Sequence, residues 1–157
     1  MLKKKSYSLN EAKKKLENFC SYQERCHKEV EEKLRVLGMI QPVSQEIIAQ
    51  LIQEDYLNET RFAKSFARGK FRIKNWGKNR ILRELKSRNI SDYNIKMGMQ
   101  ELKDIEYEET FYNLFEKRKK SVEHLPIDQQ KKKIFSYLSY RGWEHEKIYD
   151  ALNQLSV

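Results

Sequence analysis

Little in this sequence could staple a fold covalently or break up long helices. There are 2 cysteines, 2 prolines and 5 glycines in 157 residues, too few turn formers for the short strands and tight turns of an all-β fold. Cys20 and Cys26 have no further thiol partners, which gives no support to a disulfide framework or a four-ligand zinc site and predicts two free thiols. No apolar run approaches the roughly 20 residues that cross a bilayer. The opening Met1 to Ser6 leads into no apolar signal segment, so the expectation is a cytoplasmic protein without membrane contact.

Catalytic signatures are missing too. His27 falls in the first third of the chain and His124 and His145 in the last, with no His-x-x-x-His pair, no Gly-x-Ser-x-Gly and no phosphate loop. His145 between Glu144 and Glu146 reads as a charged helix start. Glu106, Glu108 and Glu109 also read as a helix start, where negative charge suits the dipole. The expectation is a protein that is not an enzyme, with no metal and no cofactor.

Charge and helical periodicity are what the sequence does have. Charged residues make up 35% and apolar ones 39%, a composition of long helices with wet faces. One internal period emerges when Leu34, Leu85 and Leu138 are placed in register. Four residues earlier stand Val30, Ile81 and Ile134; four later stand Gly38, Asn89 and Gly142. Further on come Ser44, Ile95 and Ile148, then Ile48, Met99 and Leu152, then Leu51, Leu102 and Leu155.

Apolar residues four apart share a helix face, and Gly or Asn just past them supplies the left-handed residue that stops it. The later spacing of three to four makes a second helix that turns back on the first. Upstream of each pair lies a third amphipathic stretch: Leu9, Ala12, Leu16 and Phe19; Phe62, Ala63 and Phe66; Tyr107, Phe111, Leu114 and Phe115. Ser8 to Glu11 reads as a capping box, and Asn58, Ser44 and Ser91 or Asp92 as helix starts. The predicted helices are 9–22, 27–37, 45–56, 59–74, 78–88, 92–103, 107–121, 127–140 and 144–154.

The fold class is therefore all-α, three tandem three-helix repeats of helix-turn-helix type. The expected divisions are a basic N-terminal tail at 1–7 and repeats at 8–56, 57–105 and 106–157. Units of about 50 residues lie near the lower limit for an independent core. Neighbours are expected to lean on each other in an elongated, curved molecule; three hairpins collapsed into one globule is the alternative.

The net charge of +9 is uneven: +3 over 1–7, −2 over 8–56, +8 over 57–105 and zero over 106–157. Eleven basic residues, Arg61, Lys64, Arg68, Lys70, Arg72, Lys74, Lys78, Arg80, Arg83, Lys86 and Arg88, face a single acid, Glu84, between 61 and 88. On a helix Arg61, Lys64, Arg68 and Arg72 fall within about 80° of arc beside the face of Phe62 and Phe66. Arg80, Arg83 and Lys86 point away from Ile81, Leu82 and Leu85. A solvated helix face is the plain reading, but such faces usually interleave acids at i, i+4. Clustered like charge makes sense when phosphates neutralise it, so these eleven are the candidate nucleic-acid and partner contacts. Phe71 and Trp76 could stack on bases, although core packing is the commoner role. No base-reading Asn or Gln beside Arg stands out, so binding should not depend on sequence.

Asp55 to Ala63, Arg68 to Arg72, Trp76-Gly77 and Arg80 to Ile90 resemble the regulatory protein RecX family. The family pattern is a leucine, a polar pair, Arg-Phe-Ala, an arginine-rich helix, a glycine, Arg-Ile, Glu-Leu and a Gly-Ile ending. Arg25, Val30, Leu34 and Gly38 carry the resemblance into the first repeat. Glu59 stands where aspartate is usual, Asn89 replaces the helix-ending glycine, and Cys26 and His27 lie where a serine is frequent.

The resemblance implies a modulator of the RecA recombinase filament on DNA. Such a protein lies along the filament groove and restrains strand exchange, ATP hydrolysis and coprotease activity in DNA repair and the SOS response. It also implies binding to single- and double-stranded DNA without sequence preference, by a monomer. The alternative is a stand-alone nucleic-acid-binding protein with a different regulatory target.

Overall fold

Apolar spacing and capping chemistry divide the chain into helices, and a computed structural model describes residues 6–155. Most of the basic N-terminal segment, residues 1–5, lies outside the described residues. Among the described residues there are nine helices and no strand: α1 (Leu9–Tyr22), α2 (His27–Val36), α3 (Gln41–Gln53), α4 (Glu59–Lys74), α5 (Lys78–Ser87), α6 (Asp92–Met99), α7 (Asp104–Ser121), α8 (Ile127–Tyr140) and α9 (His145–Asn153). None is long and apolar enough to cross a membrane.

The start and stop signals act as their chemistry requires. The Ser8 hydroxyl accepts from the Glu11 amide at 3.1 Å while the Glu11 carboxylate accepts from the Ser8 amide, so two donors left over at the α1 start are satisfied. Asn58 and Ser91 cap α4 and α6 with a single bond each, their side-chain oxygens accepting from the amides of Arg61 and Asn94. The three repeat-equivalent stops all take left-handed backbone: Gly38 at φ 81°, Asn89 at 58° and Gly142 at 91°. Asn tolerates this region better than other residues with a Cβ, so its replacement of glycine leaves the turn intact.

Three helices depart from expectation at their ends by more than one residue. α3 begins at Gln41 rather than near Ser44, because Pro42 fits the first turn, where an N–H has no helical partner. The Ser44 amide already donates to the Ile40 carbonyl at 2.9 Å. α3 stops at Gln53, since Asp55 turns left-handed and the Tyr56 and Leu57 amides return to the Leu51 carbonyl. α6 ends at Met99, and α7 starts at Asp104, with Asp104 and Glu106 in its first turn.

The helix pairs that pack closely lie within three groups, α1–α3, α4–α6 and α7–α9. In the second group α6 crosses tightly over α4: a Cβ on Gly98 would stand 2.7 Å from the Ala63 carbonyl oxygen. Three units do not make three cores. Ala12, Leu16, Cys20, Val30, Leu34, Ile47, Leu51 and Leu57 form one, made by α1–α3 and the Leu57 that follows them. The second and third units share a larger one, from Phe62 through Phe71, Tyr107 and Phe111 to Trp143 and Leu152.

That shared core is sealed by backbone. The Gly77 amide donates to the Arg141 carbonyl at 2.8 Å, the Asn79 amide to the Gly142 carbonyl at 2.9 Å, and the Trp143 indole to the Asn75 carbonyl at 3.1 Å. The Tyr107 hydroxyl accepts from the Lys78 amide at 2.9 Å and donates to Glu144. Burial, then this carboxylate, push the Tyr107 phenol well above its ordinary pKa. The chain's accessible surface of 10460 Å² is larger than the roughly 8,400 Å² expected of a compact monomer of 19.0 kDa.

Candidate nucleic-acid interface

Six of the eleven candidate cations lie on α4, four on α5, and Arg88 caps the end of α5. Their amphipathic helices bury Phe62, Ala63, Ala67 and Phe71 on one and Ile81 and Leu85 on the other, which turns the charged sides outward. The outward charge is not left unbalanced along α4. Past Glu59 the helix carries no acid of its own, and acids arrive from other elements.

Arg61 is held most firmly. Its Nε donates to Glu24 at 2.5 Å, and the rest of the guanidinium to the Asp55 carboxylate at 3.0 Å and the Asp55 carbonyl at 2.9 Å. Burial lowers its pKa, but Glu24 and Asp55 outweigh that and hold it above the ordinary arginine value. Arg68 meets Glu101 at 3.4 Å and Arg72 meets Glu106 at 3.1 Å, both acids coming from around the α6–α7 turn. Arg88 folds back onto Glu84 at 2.9 Å. The sparse acid between 61 and 88 is thus a property of the linear chain that tertiary packing offsets at the three arginines of α4.

Aromatic rings take up several more of the cations. Arg88 lies over Phe66 at 4.7 Å, Lys70 over Phe66 at 5.5 Å and Trp76 at 5.0 Å, and Arg80 over Trp76 at 4.1 Å and Tyr140 at 4.9 Å. These residues form a ladder from the second unit to the third. Lys78 lies over the buried ring of Tyr107 at 4.5 Å. Phe71 is buried in the core, and Trp76 is half-buried against it with cations already at its ring. Packing, rather than free base stacking, is what both aromatics do here.

Four candidates remain without an ion pair or ring partner among the described residues: Lys64, Lys74, Arg83 and Lys86. Arg83 and Lys86 are exposed on the outer side of α5, beside Arg80, and make the most available cationic stripe of the middle unit. No group of three His, Cys, Asp or Glu side chains that could hold a metal occurs among the described residues. Cys20 and Cys26 are free and buried. Burial pushes the Cys26 thiol up to about 11 and raises Cys20 as well, which makes both poor nucleophiles. Such a surface can attract phosphates through charge, with no donor and acceptor pattern that would read a base edge.

Residue counting by unit missed the participation of Tyr140, Glu24, Glu101 and Glu106, which lie outside the basic run. Only their exposure and a helix-packing scheme could have brought them in.

Residues 58–99 match the second three-helix domain of RecX, and residues 106–152 match its third. Regulatory protein RecX from Bacillus cereus is 29% identical over 138 residues, covering 88% of this chain and 51% of the relative. Its counterpart from Bacillus cytotoxicus is 28% identical over the same length and shares. The chain spans about half the length of the curated relatives it matches. The crystal structure of RecX from Lactobacillus salivarius superposes with a TM-score of 0.78 at 27% identity, covering 94% of this chain and 97% of that one. A second crystal structure, of a regulatory protein RecX, superposes with a TM-score of 0.81 at 17% identity and shares the fold; it covers 94% of this chain and 73% of the other.

Proposed function

This chain belongs to the RecX family, and from that premise we propose that it is a non-enzymatic regulator that binds the RecA filament on DNA. It restrains the filament's strand exchange, ATP hydrolysis and coprotease activity, and works as a monomer in the cytoplasm, during DNA repair. The units that do this run over 8–56, 57–105 and 106–157.

The observation that carries the reading is the middle unit's outer stripe on α5, where Arg83 and Lys86 stay exposed and unneutralised while the arginines of α4 are drawn into ion pairs. An extended string of helical units suits a long partner, because each unit can meet it in turn. Lysine and arginine on that stripe neutralise phosphates or filament carboxylates without reading sequence. Neither single- nor double-stranded DNA is favoured by such contacts.

The reading is tested by RecA-driven strand exchange between single-stranded circular and linear duplex DNA while this protein is titrated in. The expected result is a dose-dependent loss of joint molecules. Undiminished exchange at one copy of this protein per RecA monomer would overturn it.

A further inference from the structure

The third unit is neutral as a whole, yet its charges are sorted by end. Between 117 and 133 stand seven cations, Lys117, Arg118, Lys119, Lys120, Lys131, Lys132 and Lys133, against only Glu123 and Asp128. Acids collect at the other end, where Glu106 and Glu108 are engaged by Arg72 and Lys147. A charge count over the whole unit averages this separation to nothing.

The two basic segments share one end of a helical hairpin. One is the last turn of α7 and the other the second turn of α8, with five residues between the helices. The Gln130 amide closes that connection by donating to the Leu125 carbonyl at 2.7 Å and the Glu123 carbonyl at 3.3 Å. None of the six lysines makes an ion pair among the described residues, and Lys117, Lys120, Lys132 and Lys133 are exposed. Arg118 is set apart from them, lying over Tyr137 at 5.2 Å. The middle unit's α4 arginines are matched by acids; these lysines are not.

We propose that this lysine tip of α7 and α8 is a second nucleic-acid contact, one that binds the phosphate backbone separately from the α5 stripe. The proposal rests on the RecX reading and extends it to a surface outside the basic middle unit. Lysine ammonium groups on flexible stems are point charges that follow a phosphate backbone and impose no bidentate geometry. A lipid surface is disfavoured, because the apolar stripe of α8, Ile134 and Leu138, is fully buried and has nothing to insert. An acidic protein partner is disfavoured too, since no large apolar side chain is exposed between 117 and 133 to anchor an interface core. Backbone bonds between the second and third units hold the α5 stripe and the third unit together.

The test uses the full chain with Lys120→Gln, Lys132→Gln and Lys133→Gln combined, all three at exposed positions, and unchanged thermal melting as the control for folding. Fluorescence anisotropy with a labelled single-stranded oligonucleotide of about 30 nucleotides is followed across a salt series. Affinity should fall by about tenfold or more, and the slope of log K against log salt should become shallower by about 2 to 3. Unchanged affinity and slope would overturn the tip proposal, while loss of strand exchange caused by the wild-type protein would leave the RecX reading standing. Equal binding of the wild type to phosphatidylglycerol vesicles or to polyglutamate, lost in the same variant, would also overturn it.

Discussion

Between the second and third units backbone-to-backbone bonds stand beside the side-chain contacts, whereas between the first and second the contact is made by side chains that reach across. At the former, Gly77, Asn79 and Trp143 bond directly to carbonyls of Arg141, Gly142 and Asn75, and the aromatic run Phe71, Tyr107, Trp143, Phe111 lies beneath. At the latter, Arg61 grips Glu24 and Asp55, Lys28 donates to the Ser87 carbonyl at 2.9 Å, and Cys26 alone plugs into the larger core. One oxygen of Glu24 is buried there without a hydrogen-bond partner. Backbone bonds have no rotamers to exchange, while an arginine clamp can release and reform. The difference teaches that similar repeats can be joined as a rigid pair plus an adjustable third.

The largest effect should come from alanine at the equivalent helix stops. A Cβ on Gly142 would overlap the Arg80 backbone and also sit at φ 91°, whereas Gly38, at φ 81°, has open space around it. Gly142→Ala should cost about 3 kcal/mol or more, as other forced overlaps in packed cores do. Gly38→Ala should cost only the left-handed backbone penalty of about 1–2 kcal/mol. Urea denaturation of the two variants measures both; equal losses would contradict the close approach of Arg80 to Gly142.

Alkaline pH should weaken the larger core next. Cys26 is raised from 9.0 to about 11 by burial, so the folded state keeps a proton that the unfolded chain gives up. The stability this confers is whole below pH 9 and is lost as pH rises towards about 11. Tyr107, also raised, adds to the loss above its ordinary 10.0. Thermal melting across this range should show the decline, and Cys26→Ala should make it shallower.

Arg61→Ala should change stability least, by less than about 1 kcal/mol, because its ion pairs are partly exposed. Its effect belongs in geometry. Spin labels on α1 and α9 should give a broader distance distribution in this variant, and labels on α5 and α9 an unchanged one. Equal broadening of both would show that the second junction is no stiffer than the first.

Helices and their stops were legible because local chemistry alone decides them. Ser8 with Glu11, the apolar spacing around Leu34, Leu85 and Leu138, and the left-handed Gly38, Asn89 and Gly142 all act within one turn of themselves. α3 was misplaced at its start because Ser44 is a good cap in isolation, while Pro42 three residues before the expected start carries the first turn. The candidate interface was legible as a charge run, but not its neutralisation. Glu24, Glu101 and Glu106 reach Arg61, Arg68 and Arg72 across 33 to 37 residues of chain, and only tertiary packing brings them there. Equally hidden was which repeats share a core, since each offers the same apolar pattern and the seal depends on backbone carbonyls.

The most direct test of the functional account is RecA-dependent ATP hydrolysis on single-stranded DNA with this protein titrated in, beside an Arg83→Glu and Lys86→Glu double variant. Both side chains are exposed and unpaired, so reversal should leave the melting temperature unchanged. The account predicts that the wild type suppresses hydrolysis at less than one copy per RecA monomer and that the variant needs far more protein to do so. Equal suppression by both, or none by the wild type, would contradict it.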